Sequence, residues 1–397
     1  MDNKFTIIVP TRERADTLVY TIRSLLDIKY ENLEIIISDN ASMDNTKDVI
    51  DSFDDKRLTY IQTGKRVSMN ANWEFALTHV DGGYVSYIGD DDAFLPESIS
   101  EINNLINRFQ VDAVTWKKVE YCWPNHIEDK FKNYLSIPLK NEIRILDANI
   151  QREKLLKFSI SYNMLPCLYN SFVNYNVIKK AIDKKADNSF FNSLCPDIYS
   201  GIVISYFLKN YIYSYRPFSV NGASKHSGGT SYFSNKMKLS SNKFLSENTT
   251  EITNKLVLAP SMVIIVAIEF YNVAKIYGFK ECNISLNIIV DKSLKEINTL
   301  NEKNRIEVYC AIEKIVTLNK LNVNLPELTR AIKNEQIIIY GYNKKEDSLN
   351  LRADMYQIVN VYDAAKAVSG ILPNYNELEL KAKSASNLIQ RLTLTSK

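Results

Sequence analysis

The chain has no CxxC pair, and its five cysteines (Cys122, Cys167, Cys195, Cys282 and Cys310) are scattered along 397 residues. An odd number at such spacings excludes the usual zinc patterns and offers no disulfide framework. It is the usage of a reduced, cytosolic protein. Long apolar runs are missing too. The most apolar stretch, "LVLAPSMVIIVAI" (Leu256–Ile268), is followed by Glu269. A bilayer needs about 20 such residues, so the stretch reads as a buried helix, with a membrane-surface contact as the alternative. The opening "MDNKFTIIVP" becomes strand-like at once and shows no signal-peptide core. A formal charge of +3 gives no electrostatic footprint for nucleic acid, and no nucleic-acid partner is expected. Glycine is scarce, at 11 residues, and neither GxGxxG nor GxxxxGK[ST] occurs in the first half. The phosphates of a bound nucleotide would therefore not be cradled by a glycine-rich loop.

What is present is alternation. "KFTIIVP", "LEIIISD", "RLTYIQT" and "YVSYIG" read as buried strands. Between them, "ADTLVYTIRSLLD", "DNTKDVIDSF" (Asp44 as N-cap, Lys47 paired with Asp51) and "MNANWEFALTHV" read as helices. A helix is expected from Pro96 through "ESISEINNLINRF", then one strand over "VDAVTWKKVEYCW". Strands separated by such helices imply βαβ units and a doubly wound, mostly parallel α/β sheet. Further on, "YIYSYRPFSVNG" reads as one strand and "ASKHSGGTSYFSN" (Ala223–Asn235) as a polar loop. Beyond Lys236 the pattern is mainly helical, "EQIIIYGYN" excepted. A boundary near residue 240 divides the chain into 1–240 and 241–397. The first part splits again into a nucleotide-binding half (1–120) and an acceptor half (121–240).

Ligands of such sheets bind beyond the carboxyl ends of the strands. Three polar clusters sit there: "PTRER", "SDNAS" and "GDDD". Without a phosphate loop, a carboxylate-held Mg²⁺ or Mn²⁺ is the usual way to neutralise nucleotide phosphates, and Asp90, Asp91 and Asp92 supply the acids. The plain alternative, a solvated turn with a helix cap, suits Asp92 best.

"TIIVPTRERADTLVYTIRSLL", "IIISDNASMDNT" and "GGYVSYIGDDDAFLP", in this order and spacing, resemble the nucleotide-binding half of the family 2 glycosyltransferases with the GT-A fold. The likeness covers about residues 4–120 and is absent beyond about 240. It implies a Rossmann-like sheet flanked by helices, here followed by a mainly α-helical C-terminal region. By the same resemblance Asp39 would bind the nucleobase and Pro10, Thr11 and Arg12 would line the nucleoside pocket. Arg66, Asn70 and Asn72 would face the nucleotide from the third helix, where Trp73 reads as core. Asp91 would ligate the metal, with Asp90 at the ribose or a bridging water. The family usually has an acid where this chain has Gly89, and often Asn where it has Glu13.

Inverting sugar transfer needs a base for the acceptor hydroxyl. Family resemblance places it at the start of a helix beyond the acceptor segment, which points to Asp197 in "LCPDIYSGIVISYFL", with Pro196 in place of the usual first acid. His79 and His126 sit in uninformative contexts. His226 is a candidate metal ligand and Lys225 a candidate diphosphate contact, in a loop that could order over a nucleotide.

The expected activity is metal-dependent, inverting transfer of a sugar from a nucleotide diphosphate donor, UDP- or dTDP-linked. The acceptor would be a hydroxyl of a bacterial surface glycan, such as capsule or O-antigen, or of its lipid-linked precursor. A cytoplasmic enzyme is expected, free or peripheral at the inner membrane face, with the C-terminal helices available for membrane or self association. The alternatives are a nucleotidyltransferase, which would normally carry a glycine-rich loop, and a non-catalytic nucleotide-sugar-binding or scaffold protein on the same fold.

Overall fold

The computed structural model describes residues 2–227, 247–248, 250–279, 282, 284–328, 338–372 and 379–380. The expected loop at Ala223–Asn235 is described to Ser227, and "EQIIIYGYN" from its fourth residue; the remainder lies outside the described residues.

The first half alternates as the sequence predicts: β1 (Phe5–Thr11), α1 (Ala15–Leu26), β2 (Leu33–Asp39), α2 (Thr46–Asp51), β3 (Leu58–Gln62), α3 (Met69–Leu77) and β4 (Tyr84–Tyr87). β3, β2, β1 and β4 lie side by side and parallel. β1, β2 and β4 are covered on both faces, which is why they read as mainly apolar runs, whereas the edge strand β3 stays partly exposed. Alternation splits β1 between two cores. Phe5, Ile7 and Val9 pack with Leu18, Ile22 and Leu25 of α1, while Ile8 packs with Trp73 and Leu77 of α3. Asp44 is not the N-cap of α2. Asn45 holds that position, and Asp44 sits one residue earlier, accepting from the Thr46 and Ala15 N–H groups at 3.1 and 3.2 Å. The Lys47–Asp51 pair forms as expected.

A short strand, β5 (Ala93–Phe94), follows the aspartates, so α4 begins at Ser98 and not at Pro96. "VDAVTWKKVEYCW" is two strands, β6 (Ala113–Trp116) and β7 (Val119–Cys122). Then come β8 (Tyr134–Pro138), β9 (Glu142–Asp147), α5 (Ala148–Leu156), β10 (Ser171–Asn174), α6 (Tyr175–Ile182) and α7 (Pro196–Phe207). "YIYSYRPFSVNG" is likewise broken, into β11 (Asn210–Ser214) and β12 (Ser219–Ala223). Both breaks have one cause. β6 and β11 pair in the first sheet and their continuations β7 and β12 pair in a second, so the two chains bend together. Pro217, which has no N–H for a ladder, lies in the bend of the second chain. The bend carries β12 over the carboxyl end of β4.

α8 (Met262–Tyr277), α9 (Leu286–Glu296) and α10 (Glu302–Leu318) share one hydrophobic core with α7. Of the apolar stretch expected as a buried helix, only the part from Met262 is helical, opening α8 with Ile264, Val266, Ala267 and Ile268 enclosed; residues 256–261 precede the helix. Among the described residues no helix is long and apolar enough to cross a membrane. β13 (Gly341–Asn343) and β14 (Ser348–Arg352) extend the second sheet through β8, and α11 (Val361–Ile371) packs on α1. β15 (Glu379–Leu380) adds an edge beside β9.

Glu269 of α8 is fully buried, and that burial pushes its pKa up to about 8. A folded pKa above the unfolded value means stability is present at low pH and lost as pH rises from about 4.5 toward 8. Glu269→Gln removes this penalty. Urea unfolding should show the variant gaining on the wild type between pH 5 and pH 8 by roughly 3.5 kcal/mol. A constant difference across that range would contradict the buried, protonated carboxyl.

Candidate active site

The turn that leaves β4 is built around Asp92. Its Oδ2 accepts from the Gly89 N–H at 2.8 Å and from the Tyr169 hydroxyl, and its Oδ1 accepts from the Gly222 N–H of β12 at 2.7 Å. The helix-cap reading of Asp92 is therefore corrected: β5 intervenes, and Glu97 occupies the N-cap of α4. Burial, followed by the Asp91 charge, pushes the Asp92 carboxyl well above the usual range. Asp90 accepts from the Thr11 hydroxyl and from Arg14, both at 2.7 Å. Burial raises its pKa as well, against the opposing pull of Arg14. Burial works against the Arg14 charge, but Asp90 and Asp91 outweigh it and hold the guanidinium more firmly protonated. Arg14 lay in the quoted "PTRER", yet nothing in the sequence separated it from Arg12.

Asp91 is fixed from the other side. Its Oδ2 accepts from the Ser224 N–H at 3.2 Å and from the Ser224 and Ser227 hydroxyls, each at 2.6 Å. Its backbone carbonyl accepts from the Trp123 indole at 3.1 Å. Among the described residues no hydrogen bond falls on Oδ1, the oxygen left to meet a ligand. Three neighbouring carboxylates against one arginine form a site of negative charge, which suits a divalent cation. Among the described residues no three His, Cys, Asp or Glu side chains group closely enough to enclose a metal. Asp91 Oδ1 is one carboxylate oxygen that could serve an ion completing its shell with phosphate oxygens and water, as Mg²⁺ does.

His226, a predicted metal ligand, turns its Nε2 toward Asp16 Oδ2 at 3.7 Å, and Lys225 pairs with the same carboxylate at 3.6 Å. The loop is held instead by its backbone: Arg14 donates to the His226 carbonyl, and the His226 N–H donates to the Ser224 hydroxyl. Burial lowers the imidazole pKa, with Asp16 opposing.

The remaining predicted residues divide between pocket rim and framework. Pro10 pairs in register with Ser38. Asp39 is 1% exposed; one oxygen accepts from the Ser42 N–H and hydroxyl, the other from the Tyr60 hydroxyl at 2.9 Å and the Gln62 amide at 3.3 Å. Asn72 is buried and exchanges hydrogen bonds with Ser38. Arg12 and Arg66 converge on one carboxylate, Glu247, at 3.0 and 2.6 Å. Glu13 adopts a left-handed backbone (φ 56°) and its side chain accepts from the Met43 N–H at 2.7 Å, tying the first rim loop to the second. Asn70 accepts from the Ser193 N–H and hydroxyl, both at 3.2 Å, ahead of α7.

Asp197 lies in the first turn of α7, just after Pro196. Burial raises its pKa; the helix N–H groups, Lys118 and a hydrogen bond with Tyr162 pull the other way. Tyr169, which holds Asp92, also senses the Asp197 charge, and the Lys118 ammonium lies 5.2 Å from the Tyr169 ring. The Leu168 N–H, next to Tyr169, donates to Ser200 Oγ of α7 at 3.0 Å, so the segment that holds Asp92 is also bonded to the helix that carries Asp197. No sequence signal marked Tyr169, Lys118 or Ser224: Lys118 lies in the bend between β6 and β7, and Tyr169 and Ser224 meet the aspartates across 77 and 133 residues.

Residues 6–167 match the family model described as "Glycosyl transferase family 2". A Campylobacter jejuni protein named GalNAc(5)-diNAcBac-PP-undecaprenol beta-1,3-glucosyltransferase is 33% identical over 107 residues, which are 26% of this chain and 35% of that protein. An Escherichia coli protein, UDP-Glc:alpha-D-GlcNAc-diphosphoundecaprenol beta-1,3-glucosyltransferase WfaP, is 28% identical over 125 residues, or 32% of this chain and 47% of that protein. The chain therefore spans a third to a half of the length of these relatives. Among solved structures, S. aureus TarS 1–349 in complex with UDP-GlcNAc aligns over 80% of this chain and 90% of its own, at 15% identity and a TM-score of 0.47. At that distance the likeness supports no statement about this chain's ligands.

Gly222 faces Asp91 so closely that an added Cβ would lie 1.8 Å from the Asp91 carbonyl oxygen. Gly222→Ala should lower the unfolding free energy in urea by about 2 kcal/mol or more. Wild-type stability would mean that β12 does not close on the aspartate turn as described.

Proposed function

We propose that the protein is a family 2 glycosyltransferase of GT-A fold, the family whose model residues 6–167 match, and that it transfers a sugar, with inversion, from a nucleotide diphosphate donor to a hydroxyl of a bacterial surface glycan. The observation that supports the reading is the Leu168–Tyr169 segment, which bonds to Asp92 of the aspartate turn through Tyr169 and to Ser200 of α7, the helix of Asp197, through Leu168. A donor whose diphosphate meets Asp91 would present its sugar toward Asp197.

In this mechanism Asp197 takes the proton from the acceptor hydroxyl as that oxygen attacks the anomeric carbon. Its burial suits the role, since a raised carboxylate pKa makes a stronger base, while the α7 N–H groups and Lys118 keep the ionised form accessible. Asp91 Oδ1 would hold a Mg²⁺ or Mn²⁺ ion, which when bound stabilises the charge on the departing nucleoside diphosphate. Thr11 and Arg14 keep Asp90 fixed beside it. Arg12 and Arg66, at the nucleoside rim, add positive charge for the donor. The enclosed Asp39 acts on the base through Ser42, Tyr60 or Gln62, whose hydrogen bonds it accepts. Lys225 and His226 would reach the diphosphate and metal only after leaving Asp16.

Both named relatives are glucosyltransferases acting on undecaprenyl-diphosphate-linked glycans, and one name specifies UDP-Glc. UDP-glucose is accordingly the first donor to test, and a lipid-linked glycan the first acceptor. Such an acceptor would place a cytoplasmic enzyme at the inner membrane face as a peripheral protein.

Thermal shifts with UDP-, dTDP- and GDP-sugars in the presence of Mn²⁺ test the reading, and a UDP- or dTDP-sugar should raise the melting temperature by several degrees. No shift with any nucleotide sugar would sink it. Asp91→Ala should remove the metal-dependent shift. Asp197→Ala should keep the shift and lower transfer at least about 100-fold; normal transfer by that variant would exclude Asp197 as the base.

A further inference from the structure

α8 is apolar along most of its length, yet it buries a carboxyl group. Glu269 is 0% exposed, and Asn272, one turn further on the same face, is 9% exposed. Burying a carboxyl in an apolar helix costs several kcal/mol unless its oxygens are bonded. The partners are the backbone groups that lead into α7. The Cys195 N–H donates to Glu269 Oε1 at 2.6 Å and the Leu194 N–H donates to the same carboxyl. Asn272 donates to Glu269 Oε2 at 3.4 Å and to the Asn192 carbonyl. α7 needs this help. Its N-cap residue, Cys195, makes no side-chain cap bond, and Pro196 has no N–H to give. The same segment is gripped from α3, where Glu74 accepts from the Phe190 and Phe191 N–H groups at 3.0 and 2.6 Å.

We propose that Glu269 and Asn272 are positioning residues for Asp197: the helix that follows the catalytic domain supplies, from 74 residues away in sequence, the cap that sets where the base stands. The inference rests on the reading of Asp197 as the base. It makes the C-terminal helices part of the machinery of transfer, whatever else they contact. Removing the cap lets the first turn of α7 shift, and a misplacement of about 1 Å at the base can cost about 100-fold in rate. The aspartate turn, on other elements, is untouched.

The test uses the full chain with UDP-glucose, Mn²⁺ and an undecaprenyl-diphosphate-linked glycan as acceptor, measuring acceptor-dependent UDP release at steady state and UDP affinity by calorimetry. Glu269→Leu should lower kcat about 30-fold, with KM for UDP-glucose and the UDP affinity within about twofold of wild type. Glu269→Gln keeps an oxygen on the Cys195 N–H and should recover kcat to within about fivefold of wild type. Asn272→Ala should lower kcat about tenfold with the same unchanged affinity, and it decides the matter if Glu269→Leu does not fold. The proposal is overturned if the variants turn over at the wild-type kcat, or if nucleotide affinity falls in parallel with it. Asp197→Asn separates the two ideas. If it is inactive while the Glu269 and Asn272 variants are fully active, only the positioning claim fails. If Asp197→Asn itself turns over normally, the base reading fails.

Discussion

The Asp92 carboxylate is the contact on which the site depends. It joins three parts of the chain that are distant in sequence: the turn after β4, the β12 backbone through Gly222, and the Tyr169 hydroxyl. A buried carboxylate is tolerated because each oxygen has donors, and those donors come from different elements. Closing β12 onto the turn in this way also brings Ser224 and Ser227 onto Asp91 and the His226 carbonyl onto Arg14. Of three adjacent acids, one is structural, one is clamped by Thr11 and Arg14, and one keeps an oxygen available to a ligand.

The second constraint is the approach to α7. Asn70 and Glu74 of α3 hold the segment from the nucleotide side, and Glu269 and Asn272 of α8 hold it from the C-terminal side. Asp197, the proposed base, is thereby referenced to both halves of the chain. α7 and α8 share a core, so polar positioning and apolar packing are supplied by the same pair of helices.

The parallel half of the fold was legible because β1, β2 and β4 are buried on both faces and the helices between the strands keep a clear period. The second sheet was not. "VDAVTWKKVEYCW" and "YIYSYRPFSVNG" each read as one strand, since a bend leaves alternation intact on either side of it. Thr11, Asp90 and Asp91 were visible as rim residues after strands, whereas Arg14 and Tyr169 act through contacts across 76 and 77 residues that no local pattern encodes. Glu269 did leave a signal: an acid at the end of an apolar run had to be either a boundary or a buried group with partners. Only its neighbours in space show that it is the latter.

The central claim is that the aspartate turn holds a nucleoside diphosphate through a divalent cation. Calorimetric titration of the full chain with UDP, once with Mn²⁺ and once with EDTA, tests it most directly. The account predicts saturable binding with Mn²⁺ and at least about tenfold weaker binding, or none, with EDTA. Equal affinity under both conditions would contradict it.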